Sequence, residues 1–237
     1  MPKQDRAIRT RRRILLAAAK VFEERGYQAA TITEILKTAG VTKGALYFHF
    51  QSKEEVAQGV LNGQDLQLAI PERSCKTQEV VDTVALQAYR MQTDPMVRAG
   101  ARLTLDQQAI DLDRRGPFTR WSTVMGEMLE QGRQRGELLP HVVPAETAEF
   151  LVAAFGGVQS MSQVFNNYRD LDQRISVMLR HVLPSVVLPS VLTAVDFSPG
   201  RGAAVFAEVA GPAAHDQDHE HEQEDVVPEQ VPAAATA

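Results

Sequence analysis

Between Thr31 and Phe50 the sequence spells two short helices around one tight turn, and no other stretch restricts the fold so strongly. Thr31 stands three residues before Glu34, the spacing of a capping box in which hydroxyl and carboxylate each accept the other residue's backbone N–H. Ile32, Ile35, Leu36 and Ala39 then recur at i, i+3, i+4 and i+7, the apolar stripe of a helix. Gly40 ends that helix, Val41 plugs the corner, and Thr42 caps a second helix from Lys43 to about His49. Two short helices joined by a glycine-containing turn are the signature of a helix-turn-helix. The second helix of such a unit offers its first residues to base edges in the major groove.

The rest of the chain reads as helix almost throughout. Lys3 to Arg13 is a basic arm, followed by a helix with Ile14, Ala18, Val21 and Phe22 on one stripe and Gly26 as its stop. Ser52 and Glu55 form a second capping box and open a helix expected to reach about Ile70, with Pro71 just beyond. Further helices are expected over Thr77 to Met91, from the Asp94-Pro95 cap to about Ile110, from Gly116-Pro117 to near Gly136, from Pro144 to about Tyr168, over Leu171 to Leu183 and, more weakly, over Arg201 to Val209. Strand alternation is scarce, so the class is all-α. From Gly211 onward Ala, Pro, His, Glu, Asp and Gln dominate, and residues 211–237 are expected to be a disordered acidic tail. Its His215, His219 and His221 sit among acids and are read as solvated rather than as a metal site.

Charge divides the chain in two. Residues 1–53 carry eleven Lys or Arg against Asp5, Glu23, Glu24 and Glu34, a surplus of seven positive charges. With a formal net charge of −5 overall, the remainder stands at minus twelve. An acidic body repels DNA, so any DNA contact has to come from the first 53 residues. That argues against a general, architectural DNA-binding protein. The single cysteine, Cys75, excludes an intramolecular disulfide framework and fits a reducing cytoplasm. No apolar run reaches the length of a membrane span, and Lys20 cuts short the run from Ile14 to Ala19 that a signal peptide would need. A cytoplasmic chain that contacts no membrane is expected. Nucleophile elbow, phosphate loop, dinucleotide fingerprint and zinc motif are all missing from the sequence, which points away from an enzyme and implies no cofactor.

Within the helix pair, Thr42, Lys43, Gly44 and Ala45 are the expected base-reading residues. Lys43 can donate to guanine, and Gly44 lets the backbone approach. Tyr47 and His49 lie further along and can reach phosphates. Lys53, one position inside the next helix, is a candidate to share a phosphate with that helix's free N–H groups, and Thr31 or Thr33 to do so from the preceding helix. Phe48 and Phe50 are expected in the core. His49 lacks a second His or Cys at ligand spacing, so no metal site is assigned.

Gly40-Val41-Thr42-Lys43-Gly44-Ala45-Leu46-Tyr47-Phe48-His49-Phe50, followed by Ser52-Lys53-Glu54-Glu55, resembles the signature of tetracycline-repressor-type (TetR) regulators, over roughly residues 8–60. The resemblance implies a three-helix DNA-binding head (residues 1–53) and a helical ligand-binding and dimerisation body (residues 54–210), with helix 53–70 linking the two. It implies a homodimer on double-stranded operator DNA, released when ligand binds. In the body, Arg98-Ala99-Gly100-Ala101-Arg102-Leu103, Asp106-Gln107-Gln108, Asp113-Arg114-Arg115-Gly116-Pro117-Phe118 with Trp121, and Gly136 to Val143 are similar to the γ-butyrolactone autoregulator receptors. Those receptors control secondary metabolism, often antibiotic production, and the resemblance places Trp121 in the ligand cavity.

The side chains suit a small, apolar, lactone-like effector. Trp121 can stack on a ring and donate its N–H. Phe118, Met125, Met128, Phe155, Val158 and Met161 are candidates for an apolar wall, and Gln64, Thr104 and Gln159 for polar anchors. Gly156-Gly157 interrupts helix propensity and permits close approach. Phe150 to Val164, paired with Leu171 to Leu183, is the candidate dimer interface, with a cavity wall as the competing use. A related receptor for an antibiotic or a biosynthetic intermediate is the alternative function.

Overall fold

The computed structural model describes residues 2–63 and 70–210. Among them run α1 (Pro2–Ala29), α2 (Ile32–Ala39), α3 (Lys43–His49), α4 (Lys53–Gly63), α5 (Lys76–Thr93), α6 (Pro95–Leu105), α7 (Arg115–Gln134), α8 (Pro144–Asn166), α9 (Leu171–Val182), α10 (Pro189–Leu192) and α11 (Arg201–Ala210), with a 3-10 turn over Leu183–Ser185. The one β pairing among the described residues is an isolated antiparallel bridge between Leu138 and Val187. No helix there is long and apolar enough to cross a membrane.

The head forms as its caps dictate. Glu34 N–H donates to Thr31 Oγ1 at 3.2 Å, and Thr31 N–H donates to Glu34 Oε2 at 3.0 Å. Gly40 adopts the left-handed conformation (φ 59°), and the N–H groups of Gly40 and Val41 close back on Lys37 and Leu36 carbonyls, a Schellman ending. Thr42 Oγ1 accepts the N–H of Ala45 at 3.2 Å and starts α3. The basic arm is not separate from the helix after it: α1 is unbroken from Pro2 until Gly26, where φ 76° and ψ 169° kink it. Pro2 suits a first helical position, and nothing between it and Gly26 breaks a helix.

Ile14, Ala18, Phe22, Ile35, Leu46 and Phe50 meet in the head core. That core does not stop at residue 53. Val56, Ala57, Val60 and Leu61 of α4 belong to it, as do Met96, Ala99 and Leu103 of α6. The apolar stripe of α4 has to be covered, and α1 covers it. The expected end of α4 near Ile70 falls partly on residues outside the described set, and α6 falls short of expectation. α4 is helical to Gly63, residues 64–69 lie outside the described set, and Ile70 is not helical. α6 stops at Leu105 rather than Ile110 because Asp106 accepts the N–H of Gln108 at 2.9 Å, an Asx turn that draws the chain out of the helix. The expected tail, 211–237, lies outside the described residues.

A second core joins α5, α7, α8 and α9 around Met91, Met125, Leu129, Leu151, Tyr168 and Ile175. Glu137, buried, accepts the N–H groups of Lys76 and Thr77 at 2.9 and 2.7 Å and the Thr77 hydroxyl at 2.9 Å, fixing the start of α5. The last helix is clamped to α5. Arg201 forks onto buried Asp82 at 2.6 and 2.7 Å, and Arg73 bridges Asp82 (2.8 Å) to Glu208 (2.9 and 2.7 Å). A Cβ on Gly202 would lie 2.2 Å from the Ala85 carbonyl oxygen, so only glycine allows this approach.

Candidate functional site

Of the seven residues of α3 only Leu46 is buried, so the helix presents a face outward instead of joining the core. Thr42, Lys43, Gly44 and Tyr47 are exposed there, and the Lys43 ammonium lies 5.8 Å from the centre of the Tyr47 ring. A side chain on Gly44 would meet nothing, which leaves this face open to an approaching surface. Ala45 and His49 flank it, half-buried. Phe50 turns back into the core as expected, but Phe48 does not: it is 79% exposed. The reason is geometric. Two residues beyond Leu46 is about 200° around a helix, so burying Leu46 puts Phe48 on the opposite, outward side. That spacing was available in the sequence, and it adds Phe48 to the exposed face of α3.

Two expected phosphate contacts are engaged elsewhere. The Lys53 ammonium donates to the carbonyls of Tyr27 (2.7 Å), Gln28 (3.3 Å) and Ala30 (3.0 Å) and sits 4.4 Å over the Tyr27 ring. It caps the end of α1, where carbonyls lack helical partners. The Thr31 hydroxyl donates to Glu34 Oε2 at 2.8 Å, so its proton serves the capping box. Hydrogen bonds from Thr31 hold the Glu34 carboxyl below its usual range. Thr33 is exposed. Arg13 reaches the Gly40 carbonyl at 3.3 Å and Arg11 lies 5.0 Å over the Phe50 ring, so part of the basic arm braces the turn.

In the body a cavity opens beside Trp121. Pro117, Phe118, Trp121 and Met125 line it from α7; Leu151, Val152, Phe155, Gly156 and Gln159 from α8; Val84 and Gln87 from α5; Ala101 and Thr104 from α6. Trp121, Phe118, Met125, Phe155 and Gln159 thus share one site. Val158 and Met161 do not join them. They line an outer groove against α9 with Val177 and Met178, because they fall on a different stripe of α8 from the inward Phe155 and Gln159. Met128 packs against the body core, its sulfur 3.6 Å from the Thr83 hydroxyl. The Thr104 hydroxyl donates to the Gly100 carbonyl of its own helix at 2.8 Å. Gln64 lies outside the described residues. The α5 wall, Val84 and Gln87, was missed because helical spacing alone does not separate cavity from core.

The cavity volume is about 70 Å³. A water occupies roughly 30 Å³ and an organic ligand typically needs about 300 Å³ or more, so the cavity as it stands is smaller than a typical ligand site. α6 joins this cavity to the head. Its residues 97, 101 and 104 face the body and 96, 99 and 103 face the head core, two stripes about 130° apart around one helix. On the head side Arg98 pairs with Glu23 of α1 at 2.9 Å, and Arg102 donates to the Glu23 carbonyl.

The outer stripe of α8, opposite the cavity, carries Phe150, Met161, Val164 (79% exposed) and Phe165 (67% exposed), with Val177 exposed on α9 beside it. Side chains at Gly156 and Gly157 would meet nothing, so the helix backbone is accessible there.

Residues 14–60 match the family described as bacterial regulatory proteins, tetR family. TylP, a TetR regulator from Streptomyces fradiae, is 42% identical and superposes with a TM-score of 0.80 over 87% of this chain and 100% of that one. The chain belongs to the TetR family. It is also 40% identical over 192 residues to the A-factor receptor protein of Streptomyces griseus, covering 81% of this chain and 69% of that protein. A γ-butyrolactone receptor, described as an ArpA-like protein, is 27% identical with a TM-score of 0.66, covering 86% of this chain and 99% of that one. As a TetR-family helix-turn-helix regulator, the protein works by binding DNA and not by catalysis. Among the described residues no cluster of three His, Cys, Asp or Glu side chains is arranged to hold a metal.

Proposed function

We propose that this TetR-family regulator represses transcription as a homodimer on an inverted-repeat operator. A γ-butyrolactone-type effector seated beside Trp121 releases it and so controls production of a secondary metabolite, such as an antibiotic. The observation that carries the reading is α6, one helix with a cavity face and a head face. An effector too large for the closed cavity pushes α7 and α8 from α6. Moving α6 drags α1 through Met96, Ala99, Leu103 and the Arg98–Glu23 pair. α6 therefore acts as the lever between cavity and head, beside the linking helix that follows Ser52. The apolar outer stripe of α8 with α9 suits a four-helix interface between two copies. A two-fold dimer needs its α3 helices about 34–36 Å apart to read successive major grooves. Tilting α1 in each copy changes that spacing, so effector and operator favour different shapes.

The likeness to the A-factor and γ-butyrolactone receptors supports the choice of effector. The test is an electrophoretic shift on palindromic promoter fragments, with a panel of lactones, antibiotics and pathway intermediates. The expected result is a shifted dimer released by a γ-butyrolactone, with Trp121→Ala keeping the shift and losing release. A chain that ignores every palindrome, or a Trp121→Ala variant released normally, overturns the proposal. Release by an antibiotic alone replaces the effector and keeps the mechanism.

A further inference from the structure

The cavity beside Trp121 is walled unequally. Its α5 and α6 sides, Val84, Gln87, Ala101 and Thr104, are buried. Behind α5 lies α11, whose Gly202 packs on the Ala85 carbonyl, and behind α6 lies the head core. The α7–α8 side is thin: Phe118 is 37% exposed, and Val152 and Gly156 are half-buried. Outside it a surface groove of about 850 Å³ follows the α7–α8 seam, past Ser122 and Thr123 of α7 and Glu149 and Ala153 of α8. Phe118 and Val152 line the groove as well as the cavity, so these two side chains form a partition between the two hollows. The seam is tight further along, where a Cβ on Gly126 would lie 3.8 Å from the Ala148 methyl. At the partition it has room, since a Cβ on Gly156 would meet nothing. Phe118 stands in the first turn of α7, behind Gly116 and Pro117, where backbone N–H groups lack partners within the helix. An exposed ring in such a place changes rotamer freely on the picosecond to nanosecond scale.

We propose that the effector enters and leaves through the α7–α8 seam, and that Phe118 with Val152 is the gate: the ring closes the cavity and swings toward the groove to let a ligand pass. The proposal rests on the effector reading above, because it takes the cavity beside Trp121 as the effector site. Gate and wall differ in their kinetics. A wall residue holds a ligand that has already arrived, so trimming it speeds departure and leaves arrival nearly unchanged, the usual pattern for contact residues. A gate residue sets a barrier that is crossed in both directions. Trimming it speeds arrival and departure together, and enlarging it slows both.

The probe is a synthetic γ-butyrolactone with a saturated alkyl chain, and the signal is the fluorescence of Trp121, the single tryptophan. Stopped-flow mixing gives association and dissociation rates for the full chain as wild type, Phe118→Ala, Val152→Phe and, as a wall control on α5, Val84→Ala. Operator binding checks that each variant is folded. Phe118→Ala is expected to raise both rates at least about fivefold, and Val152→Phe to lower both by a similar factor. Val84→Ala is expected to change dissociation alone. An association rate that Phe118→Ala leaves unchanged, or that Val152→Phe leaves unchanged or raises, overturns the gate and keeps the effector site. If Val152→Phe fails to bind operator, Phe118→Ala decides by itself. A wild type whose fluorescence ignores the lactone also overturns the gate: with operator release intact the effector sits elsewhere, and without release the effector reading fails as well.

Discussion

Lys53→Met separates two physical roles for one ammonium. In the structure that ammonium donates to the Tyr27, Gln28 and Ala30 carbonyls at 2.7, 3.3 and 3.0 Å and lies 4.4 Å over the Tyr27 ring. A hydrogen bond to a charged group contributes about 1.5–3 kcal/mol, and a cation at a helix C-terminus adds about 0.3–1 kcal/mol. The group is only half-buried, which screens part of this, so the loss expected is about 2–3 kcal/mol. For a chain of this size that lowers the melting temperature by roughly 5–10 °C. The DNA side of the prediction is a slope. Each phosphate contact adds about 0.9 to the dependence of log affinity on log salt, and an internal cap adds nothing. Anisotropy titrations of the operator fragment across a salt series are expected to give Lys53→Met the wild-type slope at temperatures where it is folded. Normal melting together with a slope reduced by about one unit would refute the reasoning and return Lys53 to the phosphate backbone.

Gly202→Val puts a side chain where even a Cβ lies 2.2 Å from the Ala85 carbonyl oxygen; α11 is expected to lose its amide protection in hydrogen exchange, and unchanged protection would count against the clamp. Burial works to raise the Glu137 carboxyl, but the N–H groups of Lys76 and Thr77 and the Thr77 hydroxyl outweigh it and hold the group below its ordinary 4.5. Its stabilising effect is therefore complete above the unfolded value and lost as pH falls through the lower folded one. Wild type is expected to lose more stability than Glu137→Gln below about pH 4.5, and parallel acid-unfolding curves would contradict this. Trp121 is the single tryptophan and lines the cavity, so intrinsic fluorescence should change saturably with effector, and a flat titration alongside effector-driven DNA release would place the effector elsewhere.

The head was legible in the sequence because its determinants are local. Thr31 with Glu34, Gly40 and Thr42 each act within a few residues, and the structure forms each cap as the spacing required. Where a side chain's partner is remote, sequence spacing was silent. Lys53 looked free until α1 folded back to present three carbonyls, some 25 residues away in the chain. Val158 and Phe155 both read as apolar positions of α8, and only the packing of α7 and α9 assigns one to the cavity and the other to the outer groove. The two faces of α6 are visible in its 96, 99, 103 and 97, 101, 104 stripes once the neighbours are known. The early end of α6 is the exception: Asp106 two residues before Gln108 is a local turn signal that outweighed the apolar pattern continuing to Ile110.

Effector binding and operator binding, if coupled through α6, must weaken each other by the same factor. Calorimetry of the effector against free dimer and against operator-bound dimer measures that factor directly. Coupling of about 1–3 kcal/mol, a five- to 150-fold weaker affinity for the DNA complex, is the result expected. Identical affinities in the two states would mean that the cavity beside Trp121 does not control the DNA-reading helix.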